Sequence, residues 1–294
     1  MGFKLFLLLE KFLMTLPASW RLGFFSFIGK IAYYGSKKYR RISHQNLDFV
    51  FDNKLSEEEK VEITKYAFKN LMINFLHLME LRNMTKQEFA DKITMVNTEV
   101  VDKVHAEGRA CIYITTHYSS WEFAGASIGA FIEPLIPVYK KMKNPTFQKW
   151  LLEGRDSFGN ISMEKTNVVR PLLKALKSGL ASGLLIDTNI SEKEGMIIDF
   201  MGKPLRQTST PAFLARRLNA AIIPVEVRTD DDLHYTITLR EEIKVQKTDN
   251  AEADVLQATQ LQADWLAGRL KAEPKFWFWL HRRFKNDHPE IYTQ

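Results

Sequence analysis

From about residue 100 onward, short apolar, β-branched runs alternate with stretches of helical periodicity, and that rhythm leaves few architectures open. Candidate strands are 110–116, 135–139, 183–187, 221–228 and 235–245. Helical patterns occupy about 120–130, 145–159, 168–179 and 210–219, and a long last helix covers about 252–272. Strands joined by crossover helices predict an α/β fold with a mostly parallel central sheet flanked by helices. Only a turn near 229–233 separates the last two strands, so that pair is expected to be antiparallel. Upstream, Ser56 and Glu59 have capping-box spacing at the start of a helix, and Thr85 and Glu88 suggest a second cap.

Residues 1–34 differ from the rest. They are rich in Phe, Leu and Ile but are broken by Lys4, Glu10, Lys11, Pro17 and Arg21. The longest uncharged run, Phe12 to Trp20, falls well short of the roughly 20 residues that a spanning helix needs. Lys30, Lys37, Lys38, Arg40 and Arg41 follow. Apolar residues followed by a basic cluster predict a hydrophobic helical membrane anchor, lying on the bilayer or crossing it as a short tilted span, with its basic side cytoplasmic. The alternative is a first helix pair that packs on the domain. The expected organisation is therefore an anchor at 1–34 and an α/β domain at 35–294. That domain has a helical region at 55–95, a core at about 100–250, and a last helix with a basic-aromatic tail at 252–285.

The net charge of +6 favours anionic partners, and anionic membrane lipids fit better than nucleic acid, because no nucleic-acid motif accompanies the charge. Cys111 cannot form an internal disulfide and reads as buried core. His44, His77, His105, His117, His234, His281 and His288 show no paired metal-ligand spacing, so neither a metal nor another cofactor is expected.

The chemistry concentrates at Thr116-His117-Tyr118-Ser119-Ser120-Trp121-Glu122, where an apolar strand ends and a helix begins. A carboxylate five residues after a histidine does not share a helix face with it, but it suits a strand-to-helix turn. His117 is thus the candidate general base and Glu122 the candidate partner that orients the ring. No Gly-x-Ser-x-Gly elbow surrounds Ser119 or Ser120, and Ser120 reads as a helix cap rather than a nucleophile. Tyr139 and Lys140 follow a second strand, with Asn144 and Arg155 beyond them, and cations there would suit anionic substrate groups. Asp187 ends a third strand, could hold Arg155, and opens a polar loop from Ile190 to Gly195. Lys203 lies in Gly202-Lys203-Pro204, before a hydroxyl-rich helix start at Thr210-Pro211. The tail from Phe276 to Lys285 interleaves aromatic rings with basic residues, as at a membrane interface.

In order and spacing these blocks, with Asn46-Leu47-Asp48-Phe49 and the closing Trp279-Leu280-His281-Arg282-Arg283-Phe284-Lys285, resemble the bacterial lipid A late acyltransferases across nearly the whole chain. The resemblance implies transfer of a fatty acyl chain from acyl carrier protein to a hydroxyl of a Kdo-bearing lipid A precursor at the cytoplasmic side of the inner membrane. It also implies that His117 is the base with Glu122 as its partner. Arg155 and Asp187 match site positions of the family, for substrate binding or site organisation. Two departures stand out: members commonly have Gly-Asn where this chain has Ser119-Ser120, and often Gln where it has Thr188. The same base could serve an acyltransferase with a glycerolipid or mannosylated inositol lipid as acceptor. A non-catalytic lipid-binding protein would need the anchor and the basic patches but not the histidine.

Overall fold

The structure is a computed structural model that describes residues 2–191 and 194–293. Four helices come first: α1 (Gly2–Met14), α2 (Ala18–Gly35), α3 (Lys37–Phe51) and α4 (Glu57–Asn83). Ser56 and Glu59 close the reciprocal capping box that starts α4, and Thr85 with Glu88 does the same for α5 (Lys86–Ala90). The alternating region runs β1 (Ile93–Val96), α6 (Glu99–Ala106), β2 (Cys111–Thr115), α7 (Trp121–Phe131), β3 (Leu135–Tyr139), α8 (Pro145–Arg155) and β4 (Met163–Glu164). It continues with α9 (Val169–Lys177), β5 (Ala181–Leu185), β6 (Met196–Asp199), β7 (Pro204–Gln207), α10 (Thr210–Leu218), β8 (Ala221–Arg228), β9 (Tyr235–Leu239) and α11 (Ala251–Ala272).

Seven strands form one sheet in the order β1-β9-β8-β2-β5-β3-β4, parallel throughout except for the β8–β9 pair. The pleat sends alternate side chains to opposite faces. Tyr113 of β2 joins Val225, Val104, Phe123 and Ile128 on one face, while Ile112 and Ile114 join Leu172, Leu176, Leu214 and Ala258 on the other. Helices cover both faces, which is why β2 is buried from Cys111 to Ile114 and reads as a continuous apolar run.

Four strands escape the sequence pattern. β1 and β4 are too short to show a period, and β6 and β7 form a separate antiparallel hairpin. The last sheet strand stops at Leu239 rather than 245, but the chain stays beside β8: Arg240 N donates to Pro224 O and Ile243 N to Ile222 O, both at 2.9 Å. The helix expected over 145–159 ends at Arg155, and Phe158 takes a left-handed φ of 60°. Of the polar loop at 190–195, residues 192 and 193 lie outside the described ones.

The spanning form of the anchor is not supported: no helix among the described residues is long and apolar enough to cross a membrane. Two of the charges that interrupt the apolar run, Glu10 and Arg21, face inward and tie the segment to α4, while Lys4 and Lys11 are exposed. Buried Glu10 accepts from Arg82 (2.5 Å), Asn83 (2.8 Å) and the indole of Trp150 (2.8 Å). Arg21 pairs with Glu80 at 2.9 Å. Leu13 and Phe25 pack with Leu76, Met79 and Trp150. At Gly29 the backbones of α2 and α4 approach so closely that a Cβ would lie 2.8 Å from Lys69 Cα. The first two helices thus form a pair packed on the domain, with an outer face of exposed Leu5, Leu8, Phe12, Trp20, Phe27 and Ile31.

The aromatic tail also corrects its expectation. Phe276, Trp277, Trp279, Leu280 and Phe284 are buried in a core with Ile42, Leu47 and Phe68, not displayed to a membrane. Asn46 anchors the tail: its Nδ2 donates to the carbonyls of Trp279 (2.7 Å) and His281 (2.8 Å), and its Oδ1 accepts from Tyr292 (2.6 Å).

Candidate active site

β2 and β5 are parallel neighbours with Thr115 opposite Leu185, so the residues two places beyond each strand leave the sheet side by side. Those residues are His117 and Asp187. The His117 backbone N–H donates to Asp187 Oδ2 at 2.7 Å, and His117 Nδ1 lies 2.9 Å from Oδ1. Trp277 Nε1 donates to Oδ2 at 2.8 Å. Burial pushes the Asp187 carboxyl up, but His117, the buried Arg283 guanidinium and Trp277 together hold it well below the usual carboxylate range. The His117 side chain keeps 25% of its surface exposed, so its ring reaches solvent beside a buried anion.

This corrects the expected partnership. Glu122, in the first turn of α7, is the partner of Arg155: Nε donates to Oε2 at 2.9 Å and Nη2 to Oε1 at 2.6 Å. Trp121 Nε1 also donates to Glu122 Oε1, at 3.0 Å. Burial disfavours the Arg155 charge, but Glu122 more than offsets it, and the pKa is raised. The pairs are therefore exchanged: His117 with Asp187 and Arg155 with Glu122. Strand register brings His117 to a carboxylate 70 residues away in preference to the one five residues on.

The turn after β2 is held on both sides. Ser119 N donates to Phe276 O (2.8 Å) and Phe278 N to His117 O (2.9 Å), so the tail straps the loop. Asn70 and Asn74 of α4 donate to Ser119 O at 3.0 and 2.8 Å. Ser119 itself has φ of 51°, the left-handed region that favours glycine, and its buried hydroxyl has no hydrogen-bond partner among the described residues. Ser119→Gly should relieve both costs and, after the extra entropy of an unfolded glycine, raise stability by about 1 kcal/mol. Denaturant unfolding checks this, and a lower midpoint would mean that the serine methylene packs favourably. Ser120 caps α7 as expected, with its Oγ 3.4 Å from Phe123 N and 2.7 Å from His77 Nδ1. His77 is buried, and burial drives its pKa well down.

The remaining sequence candidates do not converge on His117. Tyr139 ends β3, and its carbonyl accepts from Lys165 N at 2.8 Å. Asn144 caps α8 through Oδ1, which accepts from Thr146 N and Phe147 N at 3.0 and 3.1 Å. Lys203 donates to Asp52 at 2.7 Å at the end of α3. Lys140 is exposed, yet its charge reaches His281. Burial, followed by the His117 charge, pushes His281 down to about 4, so it stays neutral near pH 7.

Sequence reasoning missed Trp277 and Arg283 as members of the site, because nothing local marks their approach to Asp187. It also missed an apolar cavity of about 70 Å³ between α7 and the sheet. Tyr113, Ile114, Gly125, Ile128, Leu135 and Leu184 line it, with Glu122, Arg155 and Trp121 among its polar and aromatic walls. Trp121 also meets the His117 ring edge-on at 5.2 Å, so one indole separates the imidazole from the cavity. Among the described residues, the single His, Cys and carboxylate grouping with metal-ligand geometry lies at the start of β2, away from the His117 end.

A family model described as bacterial lipid A biosynthesis acyltransferase matches residues 2–286. The chain is similar to a lipid A biosynthesis lauroyltransferase of Escherichia coli (strain K12), 24% identical over 92% of this chain and 86% of the relative. It is also similar to a lipid A biosynthesis acyltransferase of Shigella flexneri, 22% identical over 88% and 82%. A phosphatidylinositol mannoside acyltransferase of Mycolicibacterium smegmatis is 25% identical over 61% of this chain and 58% of that protein.

Proposed function

The chain belongs to the bacterial lipid A biosynthesis acyltransferase family, and within it we propose that the protein moves a fatty acyl group from an acyl carrier protein thioester to a hydroxyl of a Kdo-bearing lipid A precursor. The observation that carries this reading is the pairing of a partly exposed imidazole with a buried, ionised carboxylate at adjacent strand ends. With Asp187 accepting from Nδ1–H, the ring presents the Nε2 lone pair. Nε2 takes the proton of the acceptor hydroxyl as its oxygen attacks the thioester carbonyl. The tetrahedral intermediate then expels the thiolate, which recovers the proton from the imidazolium, leaving an ester and a free carrier thiol. Asp187 stabilises the imidazolium between those steps. Arg155, aligned by Glu122, and Lys140 supply cations for anionic groups of the substrate.

The apolar lining of the cavity beside Trp121 suits the methylenes of an acyl chain. Among the described residues, a Cβ at Gly125 meets only Leu135 Cδ2, at 4.0 Å, so a larger residue there fits the helix and fills the cavity. Gly125→Leu should shift preference to shorter acyl donors, by roughly 10-fold or more per excluded methylene. An unchanged chain-length profile would place the acyl chain elsewhere.

The exposed apolar face of α1 and α2, with Lys30, Lys37 and Lys38 nearby, suits an in-plane position on an anionic bilayer such as the cytoplasmic face of the inner membrane. Phe12→Glu combined with Phe27→Glu should weaken sedimentation with phosphatidylglycerol vesicles by about a hundredfold or more, the scale set by losing two buried rings. Retained binding would assign the membrane contact to another surface.

The activity itself is tested with acyl carrier protein thioesters of several lengths and a tetra-acylated lipid A precursor, read by mass spectrometry. Gain of one acyl chain is expected. A second reading, with a mannosylated inositol lipid as acceptor, follows from the similarity to the mycobacterial relative. Acylation of that lipid but not of the precursor would establish it.

A further inference from the structure

At the end of the sheet opposite His117, three side chains from separate elements converge. His105 belongs to the last turn of α6, Cys111 opens β2, and Glu133 follows α7. His105 Nε2 lies 3.1 Å from Glu133 Oε1 and 3.9 Å from Cys111 Sγ, and all three ligand atoms fall within 4.8 Å of one another. We propose that His105, Cys111 and Glu133 bind a zinc-like divalent cation, a structural site separate from the acyl-transfer centre.

The geometry is close to what such an ion requires. Zn–N and Zn–O bonds of about 2.0 Å and a Zn–S bond of about 2.3 Å at tetrahedral angles call for N···O and N···S separations of about 3.3 and about 3.6 Å. A thiolate with an imidazole selects a borderline-soft ion over magnesium or calcium, which prefer all-oxygen shells. Charge also balances: a neutral imidazole, a thiolate and a carboxylate offset a divalent cation. Water or the Tyr113 hydroxyl, which now donates to Glu133 Oε1 at 2.7 Å, can take the fourth position.

Burial, helped by the Glu133 charge, pushes the Cys111 thiol up to about 12, so without a cation it stays protonated, and binding releases that proton. His105 is 42% exposed and gives the ion a path from solvent, while Cys111 is buried. An ion here would join α6, β2 and the end of α7, cross-linking the amino edge of the sheet. Its effect is therefore on stability rather than on the reaction at the carboxyl edge.

Cobalt titration of the tag-free, chelator-treated full chain tests the proposal. One cobalt ion per chain should bind with a sulfur-to-metal charge-transfer band, zinc should displace it, and zinc should raise the melting temperature. His105→Ala, at an exposed position, should weaken binding by at least about tenfold, the scale on which even an outer partner matters. Glu133→Gln should act in the same direction, and Cys111→Ser should abolish the band. Acyl transfer at saturating substrate should be unchanged in His105→Ala. Absence of the thiolate band in the wild-type chain, or equal affinity in wild type and His105→Ala, would overturn the site.

Discussion

His117→Ala should lower kcat for acyl transfer by about 10³-fold, within the 10²–10⁴ range that a positioned general base supplies. The loss follows from geometry. Nδ1 is committed to Asp187 at 2.9 Å, and the ring is the titratable group at the partly exposed carboxyl end of β2. Alanine removes the proton acceptor but leaves the β2–β5 ladder, the Asn70 and Asn74 contacts and the apolar cavity in place. KM for the carrier thioester should therefore change little. Single-turnover measurement of the variant against wild type checks this. A turnover within a few-fold of wild type would remove His117 from the chemistry and favour a lipid-binding role without catalysis.

Asp187→Asn should cost nearly as much, about 10²–10⁴ in kcat, because an amide offers the ring an N–H as readily as a carbonyl and no longer fixes the productive tautomer. It also removes the charge that stabilises the imidazolium formed during transfer. Glu122→Gln provides the contrast. Its carboxylate holds Arg155 through two hydrogen bonds, so its loss should appear mainly in substrate binding. If Glu122→Gln reduced kcat more than Asp187→Asn, with both variants folded by circular dichroism, the pairing seen here would not be the one used in turnover. Asp187 is buried beside Arg283, so a folding control is essential for the asparagine variant.

The depressed Asp187 carboxyl has a thermodynamic corollary. A carboxyl that ionises more readily folded than unfolded stabilises the fold above its unfolded pKa of about 3.9, and that contribution fades as pH falls through the lower folded value. The half-buried His281 acts from about pH 6.5 downward: the unfolded chain takes a proton that the folded chain refuses until about 4, so stability falls as pH falls. Both contributions make the fold more stable near neutral pH than in acid.

Much of the frame was legible in the linear chain, for local reasons. Runs such as Cys111 to Ile114 are apolar because both sheet faces are covered, and Ser56, Thr85 and Ser120 announce helix starts through hydrogen bonds that span three residues. His117 was legible because it sits at the end of such a run, where α/β sheets hold ligands. Glu10 and Arg21 argued against a span, but only packing shows their destination, on α4. The tail misleads in isolation: alternating Trp, Phe and Arg look interfacial, yet in the fold they close the core and strap the loop that carries His117.

The amino-acid sequence by itself determined the α/β layering, the strand end that carries His117 and the family to which that block belongs. The tertiary structure decided which carboxylate His117 holds, which one Arg155 holds and how a left-handed Ser119 is kept in place. The physical reason is register. Periodicity and capping are written within a few neighbouring residues, whereas the partner of a side chain at a strand end depends on which strand lies alongside, and β5 brings Asp187 there from 70 residues away.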